Sequence, residues 1–241
     1  MSALVLKLIA AASMLVDHTG LMLFPKTEMM RIIGRLAFPL FAFFIAEGFR
    51  YTHSRHKYFL RIFLLGLACQ IVYTVAENSF YIGTLLTFSL SIIVIAFVDK
   101  LKKAIKGEEN FFGKFIDGLS DKNPPKALEI TLASVATAGV IVLMYFICKV
   151  VEVDYGFFGI MLPVLVSVFD EKYPKLAMFS LGVILLCAAS GKGFTNQYYS
   201  LITIPLICAY NGKPGEKRMK YFFYIFYPAH LALLYVISLF V

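Results

Sequence analysis

An all-α, polytopic transmembrane bundle of about nine spans is the fold class that the 241-residue sequence predicts, and three observations carry the prediction. Sixty per cent of the residues are apolar and only 16% charged, well outside the balance of a soluble domain. Apolar stretches of about 15 to 22 residues recur along the chain, close to the ~20 needed to cross a bilayer. The basic residues also partition by side, as topology demands. A soluble globular enzyme is excluded. So many spans leave no room for a separate soluble domain, so residues 1–241 form a single integral membrane domain and any chemistry lies among the helices.

The first span, 3–24, is interrupted by Asp17 and His18 too early for a cleaved signal peptide, and is read as a retained helix. The following spans are 36–50, 58–77 and 80–98. The polar stretch 99–126, carrying KLKKAIKGEEN and the breaker pair Pro124-Pro125, is a cytoplasmic linker between helices 4 and 5. The remaining spans are 127–148, 156–169, 175–190, 197–210 and 221–241. Pro39, Pro163, Pro205 and Pro228 fall within spans, where each is expected to free a backbone carbonyl and kink its helix beside a cavity. Cys69, Cys148, Cys187 and Cys208 occur singly within or at the ends of apolar runs, and read as packing residues.

With the N-terminus cytoplasmic and sides alternating, the inner segments hold 18 of the 23 Lys and Arg; only Lys26, Arg31, Arg35, Lys149 and Lys192 lie outside. The formal charge of +8 is thereby explained as topology, and nucleic acid is set aside as a partner in favour of the lipid bilayer.

Ionisable side chains at span depth are costly and read first as functional. Lys7 and His18 are eleven residues apart, which returns to nearly the same helix face after a rise of ~16 Å. Ala11 and Met14 lie between them, so a long anionic donor could lie along this stripe with its reactive end at His18. Near neutrality an imidazole can take a proton from an amine or hydroxyl, or be acylated itself. The plainer alternative is an interhelical hydrogen bond for His18 and a snorkelling anchor for Lys7. Asp17 is the second catalytic candidate beside His18, but it is about 100° around the helix and is expected to meet an arginine of another helix. Arg31 and Arg35, spaced i, i+4 against the cytoplasmic bias, either pair with Asp17 or hold an anionic group of substrate; interfacial anchoring weighs equally.

Glu47 precedes the basic run Arg50, Arg55, Lys57 and Arg61 and reads as a partner for one of these cations, or as part of a polar substrate path. Arg50 and Arg61 are candidates for the phosphates of a cytosolic cofactor, although the run also serves as a topology signal. His230, in YPAH of the last span, is placed to meet His18. No metal is expected: HExxH and clustered ligand spacings are missing, as are GxGxxG, GxxxxGK[ST] and GxSxG.

The segments LKLIAAASMLVDHTG, GRLAFPLFAFFIAEGFRYT, DYGFFGIMLP, SLITIPLICAYNG and FFYIFYPAHL, in this order, resemble the TraX family, bacterial membrane proteins named for acetylation of the N-terminal amine of F pilin. That family is distantly similar to the acyltransferase-3 superfamily, whose first span carries a basic residue, ten residues, then histidine. Lys7 and His18 match that spacing, and YPAHL resembles the superfamily's last-span histidine motif. The resemblance implies a multi-pass protein of the bacterial cytoplasmic membrane. It implies acetyl-CoA entering from the cytosol with its phosphates on Lys7, and acyl transfer at His18 to an extracytoplasmic amine or hydroxyl of a pilin-like N-terminus, glycan or lipid. Lysine stands where arginine is common in the superfamily, so a bidentate phosphate grip is not implied. Two other classes remain open on the residues: a small-solute transporter or channel with His18, His230, Arg35 and Glu47 as its polar path, and an assembly scaffold acting through 99–126.

Overall fold

The computed structural model describes residues 1–77, 81–108, 126–191, 195–213 and 219–240. Helices account for the apolar segments: α1 (Ala3–Met22), α2 (Glu28–Gly34), α3 (Ala37–Tyr51), α4 (Arg55–Glu77), α5 (Thr84–Lys106), α6 (Lys126–Val150), α7 (Gly156–Val168), α8 (Lys172–Ala189), a 3₁₀ segment (Asn196–Ile202) running into α9 (Thr203–Cys208), and α10 (Met219–Ser238). Among the described residues the sole strand-like feature is a parallel bridge between Ile82 and Val153.

Among the described residues, six stretches are long and apolar enough to cross a bilayer by themselves, Ala3–Met22, Glu28–Tyr51, Arg55–Thr74, Thr84–Lys106, Lys126–Val150 and Lys172–Ala189, and Gly156–Val168 and Phe222–Ser238 are shorter apolar helices. The predicted span 156–169 is the 13-residue α7. It packs against α3, α5 and α8, with Ile160, Leu162, Val164 and Val166 almost wholly buried. A helix that is apolar all round and enclosed by protein is a core element, so its hydropathy reports packing rather than lipid contact. The predicted span 197–210 is two short pieces, half 3₁₀ and half α. By contrast α6 exposes Val135, Val142, Leu143 and Phe146, as a lipid-facing helix should.

Pro39 and Pro205 each occupy the third position of their helices, α3 and α9, where no intrahelical N–H bond is lost. They start helices instead of kinking them, unlike Pro163 and Pro228, which lie inside α7 and α10. The first residues of the predicted linker 99–126 continue α5 to Lys106. Gly107, at φ 73°, closes that helix, and the Glu108 N–H bonds back to the Lys103 carbonyl at 3.0 Å. The rest of the linker, 109–125, lies outside the described residues.

The chain passes between two polar ends. One end gathers Arg50, Arg55, Asp99, Lys102, Asp170 and Lys175, together with the start of α1 and the residues after α9, where Ala3 N–H bonds the Lys213 carbonyl and Asn211 N–H bonds the Met1 carbonyl. The other gathers Asp17, Arg31, Arg35, Gln197 and Asp154. Between them lies an aromatic core in which Phe43 meets Phe44, Phe179 and Tyr210 edge-on, with ring centroids 5.5–5.7 Å apart.

Candidate functional site

His18 and His230 meet: Nδ1 of His18 lies 2.9 Å from Nε2 of His230. His230 is buried, and its own Nδ1 lies 2.8 Å from the Phe226 carbonyl one turn earlier in α10. These two contacts set the tautomers. A carbonyl only accepts, so Nδ1 of His230 carries a proton; with the ring neutral, Nε2 is the acceptor, and Nδ1 of His18 donates to it. The lone pair of His18 then resides on Nε2, available as base or nucleophile. The Phe226 ring stacks on His230 at 4.9 Å and 12°, holding it in place.

Asp17 faces away from this pair, as its position around the helix requires. Its carboxylate holds Arg31 at 2.8 Å and Arg35 at 3.3 Å, two guanidiniums sharing one acid, so one positive charge is left over. Arg35 also donates to Gln197 Oε1 at 3.4 Å, while Gln197 donates to Ser200 and Ser200 donates back to the Arg35 carbonyl. The 3₁₀ segment thus holds Arg35 at its side chain and at its carbonyl. This approach requires Gly34: a Cβ there would lie 2.3 Å from Cβ of Asp17. Gly34→Ala is expected to cost about 1–3 kcal/mol through overpacking, read as a lowered unfolding temperature of the purified protein; an unchanged value would remove the constraint.

Residues that sequence reasoning passed over complete this end. Asp154 accepts a hydrogen bond from Thr84, which also bonds Tyr227, one helical turn before His230. Tyr155 takes a left-handed conformation, φ 60°, uncommon for a bulky residue, and stacks on Phe38 at 3.7 Å. Burial raises the Asp154 carboxyl above the usual carboxylate range against the opposing Thr84 hydrogen bond, so folding shifts it toward its neutral form. A group raised on folding stabilises below its unfolded pKa, and that contribution is lost as pH rises through the folded value. Asp154→Asn, which keeps an uncharged acceptor, should flatten the decline of thermal stability above the ordinary carboxylate range. An unaltered pH profile would contradict this. The signal in the sequence was one acid abutting the apolar run that follows in DYGFFG.

At the basic end, Glu47 bonds Lys175 at 2.6 Å, and both are buried. The expected partner in the run Arg50 to Arg61 is therefore replaced by a cation on α8. Arg50 pairs with Asp170, which Lys102 also holds at 3.0 Å, and Arg55 pairs with Asp99. Burial pushes the Asp170 carboxyl up, but the Lys102 hydrogen bond and charge, with Arg50 and Lys106, bring it below the usual range. Arg61 bonds the Lys57 carbonyl of its own helix. A cavity of about 240 Å³ opens here, with Glu47, Arg50, Lys172, Lys175, Tyr51 and Tyr210 in its lining. Lys7 lies over the Phe44 ring, 5.0 Å from its centroid, and Phe44 in turn meets Tyr210. Along the stripe from Lys7 to His18, Ala11 and Met14 are buried rather than open to a groove. Among the described residues no group of three or more His, Cys, Asp or Glu is placed to hold a metal.

Two known proteins are similar over nearly their whole lengths. The probable fimbrial assembly protein FimC, serogroup H1, of Dichelobacter nodosus is 24% identical over 259 aligned positions, covering 97% of this chain and 94% of that protein. Protein TraX of Escherichia coli is 25% identical over 252, covering 98% and 86%. No solved structure matches. The family model described as TraX protein matches residues 2–238, a range that takes in every motif from LKLIAAASMLVDHTG to FFYIFYPAHL, and this polytopic membrane protein belongs to the TraX family.

Proposed function

We propose that the protein is an integral membrane acetyltransferase of the bacterial cytoplasmic membrane, moving acetyl from cytosolic acetyl-CoA to an extracytoplasmic amine or hydroxyl. The observation that carries this reading is the imidazole pair, whose hydrogen bonds leave Nε2 of His18 as that ring's acceptor atom. His18 takes the proton of the acceptor as its nitrogen or oxygen attacks the thioester carbonyl. The carbon–sulfur bond then breaks and the proton passes to the departing CoA thiolate, leaving an amide or ester. His230 orients the base and fixes its tautomer, as the third member of a catalytic triad does. The surplus positive charge at Arg31 and Arg35 suits an acceptor carrying a carboxylate or phosphate near its reacting group. For the donor arm to follow the stripe from Lys7 to His18, the helices covering Ala11 and Met14 have to part, with Met14 an unbranched side chain suited to yielding.

The names of the two relatives, one a fimbrial assembly protein and the other TraX, favour a pilus subunit as the acceptor. The test is transfer from radiolabelled acetyl-CoA by purified protein in nanodiscs. A peptide with the N-terminal sequence of the host's pilin and a simple alkyl amine serve as acceptors, with mass spectrometry of the product. Gain of one acetyl group on the acceptor amine is the expected result. Failure of label to leave acetyl-CoA with either acceptor, in protein that remains folded, contradicts the reading.

A further inference from the structure

We propose that the cavity at the basic end is an adenine-nucleotide site, and that it takes the adenosine diphosphate portion of the acyl donor; the second clause rests on the acyl-transfer reading above. The charge balance points to an anion. Arg50, Lys172 and Lys175 line the cavity with Glu47 and Asp170, and Lys102 adds a further cation on Asp170. Each acid is already held by a cation: Glu47 by Lys175, and Asp170 by Arg50 and Lys102. Lys172 stands exposed at the start of α8, so the excess positive charge sits where a diphosphate would enter.

The walls point to a flat ring beside that charge. Phe43, Tyr51 and Tyr210 line the cavity, and Tyr51 is 68% exposed, with the Arg50 guanidinium 5.4 Å from its ring centroid. An exposed aromatic carrying a cation on its face is a ready stacking platform for a base. Asn211, also in the lining, accepts a hydrogen bond from the Lys213 N–H through its side-chain oxygen, so its amide hydrogens can meet ring nitrogens of a base. At about 240 Å³ the cavity falls below the roughly 300–1,000 Å³ of sites that enclose a whole drug-sized ligand, and matches one end of a longer molecule. Tyr210 connects it through Phe44 to Lys7, the foot of the stripe that ends at His18. Recognition of phosphate alone would serve free phosphate or a lipid headgroup equally; the aromatic wall is what selects the nucleotide.

The experiment is binding of CoA, ADP and inorganic pyrophosphate to the full-length protein in detergent, read by thermal stabilisation and by competition against labelled CoA. ADP should stabilise the protein and displace CoA, with pyrophosphate at least tenfold weaker. Lys172→Glu, at an exposed position without effect on the fold, should weaken ADP and CoA at least tenfold. Tyr51→Ala, also exposed, should weaken ADP while leaving pyrophosphate unchanged. Pyrophosphate binding as tightly as ADP reduces the site to an anion hole and overturns the nucleotide assignment. So does ADP binding that is equal in wild type and both variants; acetyl transfer persisting in that case leaves the acyltransferase reading standing. If ADP binding follows the variants but no acetyl is transferred, the nucleotide site stands and its link to an acyl donor falls.

Discussion

His18→Ala should lose about two to four orders of magnitude in acetyl transfer, the usual contribution of a positioned acid–base group, while the protein still binds CoA and unfolds at close to the wild-type temperature. The fold tolerates the change because the Arg31–Asp17–Arg35 cluster, which ties α1 to α2, does not involve the imidazole. His230→Ala should lose less, since it removes the acceptor that fixes the His18 tautomer but not the base itself. Combining the two should cost little more than His18→Ala alone, because residues acting as one unit are not additive. The split between constants is informative: kcat should fall while CoA affinity holds, in contrast to Lys172→Glu, which should act on affinity. Turnover within a few-fold of wild type in His18→Ala, measured with the same acceptor, is the result that removes the imidazole from the chemistry.

Much of this site was legible in the sequence because the relevant rules are local. The helical angle between adjacent residues sent Asp17 to an arginine, and Arg31 and Arg35 stood out as cations on the wrong side for topology. His230 in YPAH was placed to meet His18, and the two rings do meet. What sequence did not disclose depends on tertiary packing. Glu47 sits beside a basic run but bonds Lys175, 128 positions away, since only the tertiary approach of Lys175 on α8 to α3 decides which cation is closest. The stripe from Lys7 to His18 has the expected register, yet Ala11 and Met14 are covered by neighbouring helices, and helical periodicity carries no information about what packs opposite. Asp154 was overlooked because an acid at the edge of an apolar run resembles an interfacial residue until Thr84 arrives from another helix. Apolar length likewise gave no sign that α7, as hydrophobic as a membrane crossing, is buried by protein instead of facing lipid.

The other large effect is structural and concerns the Glu47–Lys175 pair. Each is less than a tenth exposed, and the pair forms a single hydrogen-bonded contact of 2.6 Å between α3 and α8. Removing either partner strands a charge in a place where water reaches it poorly, so Glu47→Leu or Lys175→Met should each destabilise strongly. Buried pairs broken in this way typically lose about 3–5 kcal/mol. The lower end applies here, because the pair borders both the large cavity and a smaller one of about 60 Å³, through which solvent can relieve part of the charge. The double replacement Glu47→Leu/Lys175→Met removes both charges and restores an apolar contact, so it should recover most or all of the loss, as buried pairs exchanged for apolar groups of similar volume commonly do. Unfolding of the four proteins in detergent gives the coupling directly. Two single losses that simply add in the double variant would mean that the residues act separately, and that the ring contact of Phe43 with Phe179 joins α3 to α8 without help from the ion pair.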